Sequence, residues 1–405
     1  MTFAIRVLDG EDELLAAANV FCAAMIGSPR LPNLPPGGIT ALLEPGRTVG
    51  AFDGGRLVGT ADAMTSGLTL PGGTVVGHAA VTRIGVLPTF TRRGIATQLI
   101  DHQLRDIAAR GEVVATLRAS EATIYGRYGY GVASSSQTVE VQTARAALRP
   151  GVGDGGPVRL LDAADAWDLL PRIYSGNRPS RPGTIDRPQV WWNGARLRAE
   201  LSSGPAYVVV HGDAGSESGF ARFRPMDTES WFVSEQRAIA VEDFFAPTAE
   251  AYVGLLRFLL GLDLVDRVIF SRLPLDDPLP WLLSDRRAAR VTTVHDETWL
   301  RVIDARQALT ARRYAGDGEV TVAVDDPLLP SNSAAFTITA DGALATDRRP
   351  QLTVGAEGLA AVLLGGATWR GLHLAGLIRT NEPAALVAAD RLFAVPDAPY
   401  AGFNF

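Results

Sequence analysis

The sequence predicts a mixed α/β (α+β) protein: two successive copies of one sheet-and-helix unit, then a third α/β region of different pattern. Three observations predict it. Apolar residues recur at helical spacing in some segments and alternate in others. The order hairpin, strand, helix, strand occurs twice. The stretch Arg149-Pro-Gly-Val-Gly-Asp-Gly-Gly-Pro157 reads as a linker between the copies.

In the first copy, residues 1–148, residues 11–25 have helical spacing. Residues 49–61 read as a hairpin with its turn at Asp53-Gly54. Residues 78–86 form a strand stopped by Pro88. Residues 93–110 form a helix with Ile95, Leu99, Ile100, Leu104, Ile107 and Ala108 on one face and Gly111 as its stop. A short buried strand (113–117), a short helix (120–125) and a last strand (137–141) follow. The second copy, 149–290, repeats the order with a hairpin at 207–223, a strand at 238–241, a helix at 248–260 and a strand at 267–271. Its helix start, Pro247-Thr-Ala-Glu250, lacks the glycine and the arginine pair of the first. The third region, 291–405, has strands at 319–324 and 335–339 and helices at 357–364 and 383–393. It ends in the aromatic run Pro399-Tyr-Ala-Gly-Phe-Asn-Phe405, which suits burial better than a frayed tail.

The 405 residues are 47% hydrophobic and 20% charged, enough to bury several cores. A net charge of −6 argues against nucleic acid and anionic membranes as partners. A lone Cys22 excludes an intrachain disulfide and fits a reducing compartment. The most apolar stretch, 252–270, carries Arg257, Asp263, Asp266 and Arg267, too many charges for a spanning helix. With no signal-peptide pattern at the start, the cytoplasm is the expected location. All 38 basic residues are arginine; codon bias in a GC-rich genome accounts for this, as would avoidance of self-modification by an enzyme acting on amines. The five histidines, 78, 102, 211, 295 and 373, show no metal-ligand spacing, so no metal is expected.

The chemistry concentrates in residues 81–131. Arg92-Arg93-Gly94-Ile95-Ala96-Thr97 lies between a proline-stopped strand and an amphipathic helix. A helix start leaves backbone N–H groups unpaired, with a partial positive charge. Gly94 lets the backbone approach a diphosphate, and two guanidinium groups add charge-assisted contacts. Read alone, the same residues also describe a solvated surface turn. The spacing matches neither a Walker loop nor a dinucleotide fingerprint. Tyr125, just after the next strand, is either a proton donor or a core residue. Trp191-Trp192 is either a wall for a cationic acceptor or core packing.

The loop resembles the acyl-CoA pocket of the GCN5-related N-acetyltransferases, whose motif is Gln/Arg-x-x-Gly-x-Gly/Ala; Thr91 takes the first position here, while Arg92, Gly94 and Ala96 keep the pattern. Over its whole length the chain is similar to the enhanced-intracellular-survival (Eis) acetyltransferases. The residues that carry this are Ile84-Gly-Val-Leu-Pro88, Arg92-Arg-Gly94, Ser120-Glu121, Ile124-Tyr-Gly-Arg-Tyr-Gly-Tyr-Gly131 and the aromatic C-terminus. The resemblance implies two tandem acetyltransferase folds, the first catalytic and the second degenerate, then a sterol-carrier-protein-like domain, in a homohexamer. It implies acetyl-CoA as co-substrate, with Ile84, Gly85 and Val86 along the pantetheine arm, Arg92, Arg93, Gly94, Ile95, Ala96 and Thr97 at the diphosphate, and Ser120 and Glu121 completing the site. Tyr125 would be the general acid and the α-carboxylate of Phe405, buried among Tyr400, Phe403 and Phe405, the general base.

The expected reaction is direct transfer of acetyl to a primary amine in a ternary complex, the family's acceptors being aminoglycosides and lysine side chains. The segment Phe21-Cys-Ala-Ala-Met-Ile-Gly27 contains no acid and the penultimate residue is Asn404. A polycation needs acids around it, so a less charged amine is expected. The rival reading is a non-catalytic apolar-ligand binder that uses the third domain. The intact loop of the first copy, against its loss in the second, separates the two.

Overall fold

A computed structural model of the chain describes residues 3–28 and 31–405; Met1 and Thr2, the beginning of the N-terminal segment read above, lie outside them. The first copy contains β1 (Ala4–Val7), α1 (Glu11–Ala24), β2 (Val49–Asp53), β3 (Arg56–Thr69), β4 (Val75–Val86), α2 (Ile95–Ala109), β5 (Val114–Leu117), α3 (Ala122–Tyr125) and β6 (Gly131–Gln142). The second contains β7 (Val158–Leu161), α4 (Ala163–Gly176), α5 (Gln189–Leu201), β8 (Tyr207–His211), β9 (Gly219–Pro225), β10 (Ala238–Phe245), α6 (Ala249–Leu260), β11 (Arg267–Pro274) and β12 (Ala289–Val302). Among the described residues these twelve strands make one sheet, in the order β1-β2-β3-β4-β5-β12-β6-β11-β10-β9-β8-β7.

That order reveals an exchange. β4 runs parallel to β5, and β10 parallel to β11. The strand beside β5 is β12, from the end of the second copy, and the strand beside β11 is β6, from the end of the first. Each copy completes the other, so the seam between them is a hydrogen-bonded ladder. The expected division at residue 290 falls inside β12. Its first residues, including Val291, Val294 and His295, are exposed, while residues 297–302 are buried. Two environments along one strand blur the alternation a sequence reader looks for.

Helices cover both faces. α1 packs on β3 and β4, and α2 sets Ile95, Leu99, Ile100, Leu104 and Ile107 into the core. Ala108 is exposed; the buried sixth position is Gln103, whose amide donates to the Asp62 carbonyl at 3.0 Å. α2 begins at Ile95, two residues later than the pattern predicts, because Gly94 holds a left-handed conformation.

The third region forms a separate sheet, β15-β14-β13-β16-β17, from β13 (Glu319–Asp325), β14 (Ala335–Thr339), β15 (Gly342–Ala345), β16 (Leu352–Gly355) and β17 (Ile378–Thr380). Phe336, Leu363 and Trp369 of its interior belong to one continuous apolar core with residues of both copies, among them Leu68, Phe220 and Leu300. Arg301 of β12 ties it to the large sheet through two bonds of 2.7 Å to Asp326, both residues fully buried. Arg312 donates to the carbonyls of Leu363 and Phe393, at the ends of two helices. Helix C-termini offer unpaired carbonyls, so a buried cation there is satisfied without a carboxylate.

His78 sits fully buried at the β4–β5 contact, Nε2 2.7 Å from the Thr116 hydroxyl. Burial, then the charges of Arg118, Arg47 and Arg178, hold its pKa down at about 3. The unfolded chain, with an ordinary value near 6.5, gains a proton that the folded chain refuses, so acidification destabilises the fold from about pH 6.5 downward. This group should cost about 2 kcal/mol of stability between pH 7 and 5. Urea unfolding of wild type and His78→Gln at both pH values checks this: the acid-induced loss should be smaller in the variant, and equal losses would contradict the assignment.

Candidate active site

The site grows from a split in the sheet. β4 and β5 pair only from His78↔Val114 to Ala80↔Thr116. Beyond Ala80, β4 continues to Val86 with β3 as its partner. Its register slips between Thr60 and Asp62, opposite Arg83, whose φ of 50° lies in the left-handed region. Such a bulge bends a strand and re-aims its neighbours. Arg83 is held by an ion pair of 2.6 Å to the buried Asp62. Ile84, Gly85 and Val86 therefore lie where β4 has left β5. A Cβ on Gly85 would stand 2.9 Å from the Ala24 side chain and 3.3 Å from Phe21, so glycine lets α1 close over this stretch.

The chain then reaches the start of α2. Arg92 (φ 62°) and Gly94 (φ 80°) are both left-handed, and Arg92 is one of three non-glycine residues among those described with positive φ. The first helical bond runs from Gln98 N–H to the Gly94 carbonyl at 3.1 Å, and no side chain caps the helix. The N–H groups of Ile95, Ala96 and Thr97 precede that bond and point outward from the helix start. The Ile95 side chain is buried and anchors the turn, while Arg92, Gly94 and Thr97 are exposed. Arg93, also exposed, rests 4.8 Å from the Phe90 ring centre and donates to the Thr89 carbonyl at 3.3 Å.

Tyr125 ends α3, just past β5, with Ser120 and the α3 cap Glu121 exposed before it. It is buried and meets Tyr130 edge-on at 6.1 Å. Burial raises the pKa of its phenol, hydrogen bonding with the Ser120 side chain opposes this, and Tyr128 adds a smaller rise. The phenol thus keeps its proton across the neutral range. The Tyr128 hydroxyl lies 2.9 Å from that of Thr97, which joins the start of α2 to the segment that carries Tyr125.

The C-terminal tail arrives at the same end of β5. The Glu297 carboxylate accepts from Gly402 N–H at 2.8 Å, Ala401 N–H at 3.1 Å and the Ser134 hydroxyl at 2.9 Å. Arg118, the residue after β5, donates to the Phe403 carbonyl at 2.7 Å and to the Thr298 hydroxyl at 2.5 Å, and lies over the Phe405 ring at 4.9 Å. The Trp191 indole donates to the Asn404 carbonyl at 2.6 Å. Phe403 is buried and Phe405 half-buried. Tyr400 differs from expectation: its hydroxyl donates to the Arg272 carbonyl at 3.1 Å, and it lines a cavity between β10 and β11 with Tyr252 and Asp277. Trp191 and Trp192 are core residues. The cation in their aromatic cluster is Arg187, paired with Asp243 at 2.7 and 3.0 Å.

The equivalent helix start in the second copy is built differently. The Thr248 hydroxyl accepts from Ala251 N–H at 3.1 Å, and Glu250 stands in the first turn of α6. The cap occupies a donor that α2 leaves open, and the carboxylate repels an anion. The sequence singles out the α2 loop and Tyr125 as candidates and gives no role to the neighbouring Arg83, Arg118, Tyr128 and Glu297. Arg118 had a usable signal, a charge directly after a buried strand. Glu297 had none, because its role exists only once β12 crosses to the first copy. Among the described residues, no group of three or more His, Cys, Asp or Glu side chains is placed to hold a metal ion, and no helix is long and apolar enough to cross a membrane.

Comparison with known proteins follows the same division. Residues 11–133 and 183–302 each match an acetyltransferase (GNAT) domain, and residues 305–402 match a sterol carrier protein domain. The chain is 34% identical over 371 residues to an uncharacterised N-acetyltransferase of Streptomyces avermitilis, spanning 89% of each. It is 34% identical over 372 residues to N-acetyltransferase Eis of Mycobacterium tuberculosis, spanning 88% of each. The crystal structure of Eis1 from Mycobacterium abscessus superposes with a TM-score of 0.91 at 46% identity, over 100% of both chains. GNAT domains use acetyl-CoA as co-substrate. Similarity that runs from one end of the chain to the other, through both acetyltransferase folds and the sterol-carrier-like region, makes this protein an N-acetyltransferase of the Eis family.

Proposed function

We propose that the first copy is the catalytic unit, and that it transfers acetyl directly from acetyl-CoA to a primary amine in a ternary complex. The observation that carries this is the contrast between the two helix starts: open at α2, capped and acidic at α6. The residues present fit the co-substrate. The N–H groups of Ile95, Ala96 and Thr97, with Arg92 and Arg93, hold the diphosphate. The stretch Ile84, Gly85 and Val86, free of β5, offers backbone groups to the pantetheine amides, and Ser120 and Glu121 border the same opening. The second copy has no such loop and serves as scaffold.

Acetyl-CoA, when bound, supplies the thioester and its leaving group. The acceptor ammonium, with a pKa of about 10, must first lose a proton. The α-carboxylate of Phe405 accepts it, directly or through a water, and the Arg118 guanidinium over the Phe405 ring helps to hold that residue in place. The amine nitrogen then bonds to the acetyl carbon, the carbon–sulfur bond breaks, and the Tyr125 phenol gives its proton to sulfur. The reading differs from an apolar-ligand binder in requiring turnover. A thiol-release assay with acetyl-CoA and a panel of amines tests it, and an absence of released thiol with every amine would contradict it.

Three variants test the assigned roles. Tyr125→Phe should fold normally and lose about 100-fold in kcat; a full-rate variant removes the phenol from the mechanism. One glycine added after Phe405 moves the carboxylate and should lower kcat about tenfold or more; an unimpaired rate discards the tail's role. Arg92→Ala with Arg93→Ala should raise the KM for acetyl-CoA about tenfold; an unchanged KM means the diphosphate lies elsewhere.

A further inference from the structure

A cavity of about 330 Å³ adjoins the tail, walled by Trp191, Phe403 and Asn404 and by the arginines of α5, β9 and β11. Four arginines on its wall face two carboxylates. The two carboxylates on its wall are already engaged: Glu242 pairs with Arg224 at 2.6 Å, and Asp243 with Arg187. Arg198, Arg222 and Arg272 remain. Among the described residues none of the three has a carboxylate within 4.0 Å or a side-chain hydrogen bond. Arg222 is steadied by the Trp167 ring at 4.6 Å.

The cavity also borders the proposed reaction site. Phe403 and Asn404 are the two residues before Phe405, and Trp191 donates to the Asn404 carbonyl. Arg198 lies close enough to Arg83, at the bend of β4, for the two charges to repel; Arg272 is coupled in the same way to Arg118 at the end of β5. Partial desolvation, then the charges of Arg83 and Arg222, pull Arg198 below the ordinary guanidinium value. Unpaired cations that crowd a concave surface beside a transfer site are short of an anion.

We propose that this cavity selects the acceptor, and that the acceptor is a primary amine bearing an anionic group, held by Arg198, Arg222 and Arg272 with its amino end toward the tail. The inference rests on the acetyltransferase reading and narrows its substrate class. Guanidinium groups present paired donors that match carboxylate or phosphate oxygens. The same field acts on the nucleophile, since nearby cations disfavour an ammonium and favour the neutral amine that attacks. It also excludes polycations, which would place like charges together.

The test measures kcat/KM with acetyl-CoA for amines of matched length: β-alanine, phosphoethanolamine, propylamine and 1,3-diaminopropane. We expect at least one of the two anionic amines to exceed propylamine about tenfold or more, with the diamine poorest; whichever of the two leads identifies the anion as carboxylate or phosphate. Arg198→Gln and Arg272→Gln, each assayed separately, should lower the ratio of anionic to neutral acceptor about tenfold. Arg198→Glu, on the exposed surface of α5, should move preference toward the diamine. A diamine used as well as the anionic amines, or variants that leave the anionic-to-neutral ratio unchanged, would overturn the proposal while turnover of propylamine leaves the transferase reading standing. No thiol released with any of the four would overturn both.

Discussion

The hold of Glu297 on the C-terminal tail is the contact on which the proposed site depends. It sits on β12 where the register with β6 shifts on either side of Thr298, and so falls at a bulge. One buried carboxylate there accepts two backbone N–H groups and a hydroxyl. The residue reaches that place only because β12 crosses into the first half of the sheet and lies between β5 and β6. Strand exchange, tail docking and the opening at β4 are thus one arrangement. The last residues of the chain meet the middle of its first third because the sheet joins them.

The two copies carry clefts of the same design that differ in small chemical ways. Both arise where parallel strands part ahead of a helix. At α2 the turn is left-handed and uncapped, which leaves donors free for an anion. At α6 a threonine takes a donor, an acid follows, and the nearby space holds the hydrogen-bonded pair Tyr252–Asp277 at 2.5 Å. Burial raises the Asp277 carboxyl to about 6. A capping threonine stabilises a helix start and takes up a donor that an anion would otherwise use.

Much of this was legible in the sequence, and the remainder was hidden for identifiable reasons. The hairpins, the strand before Pro88, the α2 face and the repeat follow from local periodicity. The opening residues of β6, Gly131 to Ser136, went unread because small polar side chains give little alternation, although the strand packs at the seam. β12 was hidden by its change from solvent to core along its length. The loop at Arg92 and the phenol of Tyr125 are local motifs, so the sequence alone names them as candidates. Glu297, Arg118 and the arginine cavity are assembled from segments up to about 285 residues apart and are visible only when the sheet is closed. The tryptophan pair shows the opposite limit: its cation is Arg187, from the same chain, which no spacing rule would have assigned.

The account stands on one open helix start and one closed one. Calorimetric titration of the intact protein with coenzyme A tests it most directly. One equivalent bound per chain is the predicted result; two equivalents, or no heat of binding, would contradict it.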